Sequence, residues 1–284
     1  MNAIISKISL ILVSFVFLMG LTESRCGTTQ LELGFEGLEP LGAEYVYEGW
    51  LIVDGEPVSS GRFNLRPGQS KVISHVSPSD LDQAAMFVLT IEPAHGDDPS
   101  PSATHVLAGA FEGSVAGLNA AHPAALGDDF TSASGGFILE TPSTGSVADD
   151  YAQGIWFLDP SGPAVSLNLP TLPAGWVYEG WVAGPEGAIS TGRFLDAGMA
   201  DYDGAGDAAG PDGFPPFPGQ DYIEPALNLV GMMAVISIEP DPDDSGSPFA
   251  FKPLVGVIDD AGRGGFQVQS NNAVFFVTGT AWRN

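Results

Sequence analysis

The chain has 284 residues, 44% of them apolar, and 9 basic side chains stand against 35 acidic ones for a net charge of −26. The lysines and arginines are scattered singly, with no cluster able to displace counterions from phosphates, which excludes a nucleic-acid binder and disfavours anionic membrane surfaces. An aromatic content of 10%, with 37 glycines and 23 prolines set between apolar runs, excludes a disordered chain and predicts a folded, turn-rich one.

Residues 1–26 read as an export signal. The apolar run from Ile8 to Leu21 follows Lys7 and is shorter than the roughly 20 residues a membrane span needs. The single cysteine, Cys26, stands where a lipoprotein carries its lipidated residue, although Glu23, Ser24 and Arg25 before it are not a lipoprotein flank. Lipidation at Cys26, ordinary cleavage after Ser24 and retention as an anchor are the three fates open to the segment. Each places residues 27–284 outside the cytoplasm. One cysteine allows no internal disulfide, so stability must come from burial, with bound ions left open as a second source.

From residue 45 the chain is organised by a repeat. YVYEGWLIVDGEPVSSGRF (45–63) reads as a β-hairpin turning at Asp54-Gly55. Asp80 to Ala85 is expected to form a helical turn, and FVLTIEP (87–93) a strand ending in an acidic turn with Asp97 and Asp98. VLAG (106–109) follows, then another expected helical turn at Asn119 to Leu126, and the runs GGFILETP (135–142) and QGIWFL (153–158).

The second copy repeats the order. WVYEGWVAGPEGAISTGRF (176–194) keeps the register, with Tyr178, Trp181 and Arg193 answering Tyr47, Trp50 and Arg62, and turns at Pro185-Glu186-Gly187. AVISIEP (234–240) answers 87–93 and leads into Asp241, Asp243 and Asp244, but it arrives late because of extra residues between Phe194 and Met233. GGFQVQSN (264–271) and NAVFFV (272–277) answer the two late runs. Short strands closed by turn residues, with no long helical period, predict an all-β fold of two tandem β-sandwich-like (Ig-like) domains from an internal duplication, 27–162 and 163–284.

The series YEGWLIVDGEPVSSGRF, VLTIEP with its acidic turn, and VLAG resembles the extracytoplasmic C-terminal domain of anti-sigma-K factors, over 41–111 and again over 172–258. The resemblance implies a β-rich domain working outside the cytoplasm as part of a signalling protein. The sigma-binding cytoplasmic domain and full membrane span of that family have no counterpart in this sequence, so no sequestration of a sigma factor is expected.

Glu48 and Arg62, with their counterparts Glu179 and Arg193, put one acid and one base on facing strands of each hairpin. An even-length turn points them to opposite faces, whereas a bulge brings them together, either as a structural pair or in contact with a ligand. Alternate aromatics at Tyr47, Trp50, Tyr178 and Trp181, and Trp156, read as core rather than as a sugar platform. In the inserted segment, Asp201, Asp203, Asp207 and Asp212 with Gly206 partly match a calcium-loop spacing, though Ala205 replaces a ligand and prolines forbid the flanking helix. That makes Ca²⁺ the one cofactor to consider, against a flexible acidic loop. The histidines, His75, His95, His105 and His122, show no metal-ligand spacing and read as surface residues.

The acid excess has two readings, adaptation to high salt, which is the one favoured, and an acidic surface with no special role. Taken together, the residues predict a non-catalytic binding or sensory module of the cell envelope with an envelope or membrane protein as partner. A calcium-stabilised adhesive protein is the alternative. A carboxylate hydrolase of envelope polysaccharide comes third, and would need two acids about 5 to 9.5 Å apart in an aromatic-walled cleft.

Overall fold

The computed structural model describes residues 27–145, 149–162, 164–243 and 245–284. The export signal with Cys26, and Asp244 of the second acidic turn, therefore lie outside the described residues. The strands of the first half are β1 (Thr29–Glu36), β2 (Tyr45–Val53), β3 (Glu56–Phe63), β4 (Lys71–Val76), β5 (Ala84–Pro93), β6 (His105–Glu112), β7 (Val115–Asn119), β8 (Gly136–Leu139), β9 (Gly154–Trp156) and β10 (Leu158–Asp159). Those that follow are β11 (Ala164–Val165), β12 (Trp176–Gly184), β13 (Gly187–Phe194), β14 (Gly219–Asp221), β15 (Met233–Pro240), β16 (Leu254–Val257), β17 (Gln267–Val268), β18 (Ser270–Asn271) and β19 (Thr278–Arg283). The fold is all-β and its ladders are antiparallel.

An eight-stranded sheet runs β3-β2-β5-β6-β7-β19-β1-β4, and a five-stranded one runs β13-β12-β15-β16-β18. Alternation sets the inner face of the first: Leu31, Leu33 and Phe35 of β1 are buried, Glu32 and Gly34 between them are half-buried, and Gln30 and Glu36 on either side face water. Its two edge strands meet, since the Ser74 hydroxyl of β4 donates to the Ser60 carbonyl of β3. That contact covers an edge otherwise open to pairing.

The expected cut at 162/163 does not divide the sheets. The last strand, β19, lies between β1 and β7, pairing Ala281 with both Leu33 and Ala116. A four-stranded sheet, β14-β9-β8-β17, takes its middle strands from the first half and its edges from the second. One apolar core accordingly runs from Leu31 through Phe137 and Ile236 to Ala281. The physical reason is burial: neither half alone covers the inner faces of its strands, and exchange covers both.

Two local expectations change. The first helical turn is present as a helix over Pro78–Gln83 that buries Leu81, but residues 120–127 form turns, with Pro123 inside the segment and the Ala124 amide donating to His122 Nδ1 at 3.1 Å. Ala273–Phe275 is a 3₁₀ turn with Val274 and Phe275 exposed, whereas its expected counterpart forms β9. Among the described residues no helix is long and apolar enough to cross a membrane.

Candidate functional site

Each hairpin carries the bulge that the parity argument left open. Glu48 faces Arg62 and Gly49 faces Gly61, but Trp50 faces Ser59, leaving Ser60 as the extra residue; Glu179 faces Arg193 and Trp181 faces Ser190. The bulge needs left-handed backbone at Gly61 (φ 118°) and Gly192 (φ 106°). Its consequence is an ion pair in each repeat: Arg62 Nε lies 3.4 Å from Glu48 Oε2, and Arg193 Nε 2.9 Å from Glu179 Oε2.

Each arginine reaches onward to the acidic turn. Arg62 Nη2 stands 3.3 Å from Asp97 and donates to the Pro93 carbonyl, while Arg193 Nη2 stands 3.1 Å from Asp243. A second carboxylate lies behind. Glu92 accepts from the Thr90 hydroxyl and from the Ser102 amide at 2.9 Å, and Thr90 in turn accepts from Trp50 Nε1 at 2.9 Å. In the second repeat Glu239 accepts from Ser237 and the Phe249 amide, and Ser237 accepts from Trp181 Nε1 at 2.7 Å. Burial raises the carboxyl pKa of Glu92 and of Glu179, and raises that of Glu239 to about 7.

These networks define what the residues do. Glu48, Arg62, Glu179 and Arg193 tie hairpin to acidic turn, and the buried Trp50 and Trp181 tie to the same turn through Thr90 and Ser237, Trp50 packing with Val88, Ala108 and Ala125 in a cluster apart from the main core. Tyr47 and Tyr178 are buried, each donating its hydroxyl to a carbonyl eight residues back, that of Glu39 and that of Pro170. Trp156 is buried as well, donating to Asp221 Oδ1 at 2.9 Å. Of the histidines, His75 and His95 are exposed, while His105 at the start of β6 and His122 in the 120–127 turn are half-buried, the His105 ring bonding the Ala124 carbonyl.

The acids of the inserted segment separate. Asp201 is buried over the bulge glycine Gly192 and accepts from the Gly219 amide at 2.9 Å; burial, with Asp203 alongside, lifts its carboxyl to about 7. Asp203, Asp207 and Asp212 are exposed, and the Asp212 amide bonds the Ser143 carbonyl instead. Among the described residues no three His, Cys, Asp or Glu side chains gather as a metal site requires. The insert is tied to the first half of the chain through Asp221, wholly buried, whose carboxylate accepts from the Ser143 amide and from Trp156. Nothing in the spacing pointed to Asp221; a lone acid beside Tyr222 gives no signal of burial.

The two acidic loops, 93–104 and 240–249, meet at Gly175. Its carbonyl accepts from Thr104 Oγ1 at 3.2 Å and from the Asp241 amide at 2.9 Å, and a Cβ there would lie 2.7 Å from the carbonyl carbon of Ala103. Between the loops run two adjoining cavities, of about 90 Å³ and about 370 Å³, which share Tyr45, Ile91 and Pro242 as walls. This groove combines an apolar floor with carboxylates; sequence singled out Asp241 and Asp243 as an acidic turn but did not place them beside Tyr45 and Ile91. Tertiary contact between the repeats makes it.

Residues 24–105 match the family model described as anti-sigma-K factor rskA, C-terminal. The match covers β1 to β5 and the first acidic loop, with the Glu48–Arg62 pair and Glu92 inside it, and under a third of the chain. No curated protein and no solved structure matches the chain.

Proposed function

We propose that the chain is a non-catalytic binding and sensory module of the cell envelope, acting outside the cytoplasm on a membrane or envelope protein. The observation that carries this reading is the match of residues 24–105 to the C-terminal domain of an anti-sigma factor, a regulatory domain type. The state of the carboxylates supports it: Glu48 and Glu179 are held by arginines and Glu92 and Glu239 by hydroxyls and amides, so these acids serve architecture rather than proton transfer.

The experiment has two arms. Alkaline phosphatase, active only after export, is fused after Asn284, and a photocrosslinking amino acid is placed at the exposed Ile189 of the second hairpin or at Tyr45 in the groove. The reading expects reporter activity that depends on residues 1–26 and a crosslinked membrane signalling protein. An inactive reporter, or crosslinks confined to glycan, overturns it.

A further inference from the structure

We propose that the groove across Tyr45, Ile91 and Pro242 receives an extended, basic segment of the partner protein. The inference rests on reading the chain as a binding module, and adds the surface used and the chemistry of what it holds. Two features select the ligand.

The first is charge. Glu39 and Asp243 line one cavity, and Glu44 and Asp241 the other, so carboxylates stand at both ends of the groove. Among the described residues lining the two cavities, His95 is the one side chain able to become a cation. Asp243 is already engaged by Arg193, but Glu39, Glu44 and Asp241 are exposed on the rim. Carboxylates beside a low-dielectric wall focus a field that attracts guanidinium and ammonium groups and rejects acidic segments.

The second is the floor. Ile91 and Phe249 are buried and Tyr45 half-buried beneath the groove, offering an aromatic surface to a guanidinium and an apolar one to its neighbours along the chain. Pro40, Pro93, Pro240, Pro242 and Pro248 line the walls. Proline has no amide hydrogen, so at these five positions the walls offer no backbone donor to an added strand, which shifts recognition toward side chains. Two adjoining cavities, each with its own acids, fit basic residues spaced along an extended backbone better than they fit one compact cation.

The test is a selection from random displayed dodecapeptides on the full exported chain, followed by calorimetry with the selected peptide. The expected result is enrichment of Arg and Lys spaced by apolar residues, with binding that weakens as salt is raised. The exposed pair Glu44→Gln/Asp241→Asn should weaken binding about tenfold or more, and Tyr45→Ala similarly, whereas Glu32→Gln/Glu36→Gln on the outer face of β1 should leave it unchanged. Unfolding curves confirm that each variant is folded. Enrichment of peptides without basic residues, no enrichment at all, or binding that survives the groove variants overturns the inference. Each of those outcomes leaves the export and crosslinking test to decide the binding-module reading separately.

Discussion

In the first repeat the space above Gly49 is filled by the ring of Phe87 from the neighbouring strand; in the second, the residue at that ladder position is Ala234, and the ring over Gly180 is Phe157, which arrives from the other half of the chain. A Cβ on either glycine would also strike the bulge hydroxyl, that of Ser60 or Thr191. The covers differ in the same way. Ser74 of β4 lies over the first bulge and Asp201 of the insert over the second. The main polar ties of the two repeats correspond, the bond from Arg62 to the Pro93 carbonyl being an addition of the first, while the volume around them is filled from different sources. Directional bonds fix particular residues at particular register positions, whereas a cavity accepts any ring of the right size that reaches it.

The ring exchange gives the largest expected effect. Phe87 and Phe157 are both wholly buried, and Phe87→Ala or Phe157→Ala should each cost about 3–5 kcal/mol in denaturant unfolding. If Phe157 does stand in for the side chain missing at 234, Ala234→Phe, damaging alone through overpacking, should partly rescue Phe157→Ala. Strictly additive effects in that cycle would break the comparison.

The buried carboxylates come next. Glu239 titrates at about 7 in the folded protein against an ordinary 4.5, so the folded state holds its proton more tightly than the unfolded chain. Its contribution is therefore full below about pH 4.5 and is lost as pH rises through 7, a change of about 3 kcal/mol. Glu239→Gln keeps an acceptor for Ser237 and Phe249 and should flatten the fall in stability across that window, measured as unfolding free energy against pH. Glu92→Gln acts in the same direction in the first repeat. An unchanged slope in both variants would mean that these acids are ionised in the fold.

The hairpins, their turns, the strand ending in Glu92 or Glu239 and the burial of the tryptophans were legible because their determinants are local: Asp-Gly for the turn, alternation for the face, and a repeat that shows each twice. The Glu48–Arg62 pairing was legible only as a pair of alternatives, since one extra residue decides parity and Ser60-Gly61 carries no unambiguous bulge signal. The exchange of β19 into the first sheet, the burial of Asp221 and the groove at Tyr45 were not legible. Each depends on which surfaces meet across more than a hundred residues, and composition and period carry no record of that. The inward turn of Asp201 was not legible for a related reason: it bonds the Gly219 amide while Asp203, Asp207 and Asp212 face water, and a loop spacing carries no record of which acid is buried.

A smaller difference separates the two ion pairs. Arg193 sits closer to its glutamate than Arg62 does, 2.9 Å against 3.4 Å, and its side chain is less exposed, 29% against 35%. Screening by water is correspondingly weaker in the second repeat. Arg193→Ala should cost about 2 kcal/mol and Arg62→Ala about 1 kcal/mol, read from urea midpoints at constant slope. The reverse order would show that the Pro93 carbonyl and Asp97 contribute more to Arg62 than its glutamate does.

The turns give the smallest contrast. Asp54 and Gly55 both take left-handed backbone, φ 53° and 88°, the conformation that matches a two-residue turn to the twist of its strands. In the second hairpin the residues between the strands are Pro185 and Glu186, and the left-handed position has moved to Gly187 at φ 122°. A β-carbon at position 55 is therefore strained by backbone alone, since no atom lies near enough to clash. Gly55→Ala should cost about 1 kcal/mol and Glu186→Ala less than about 0.5 kcal/mol in the same unfolding assay. Equal costs would mean that the two turns share one conformation in solution, and that the repeats differ only in what packs around their hairpins.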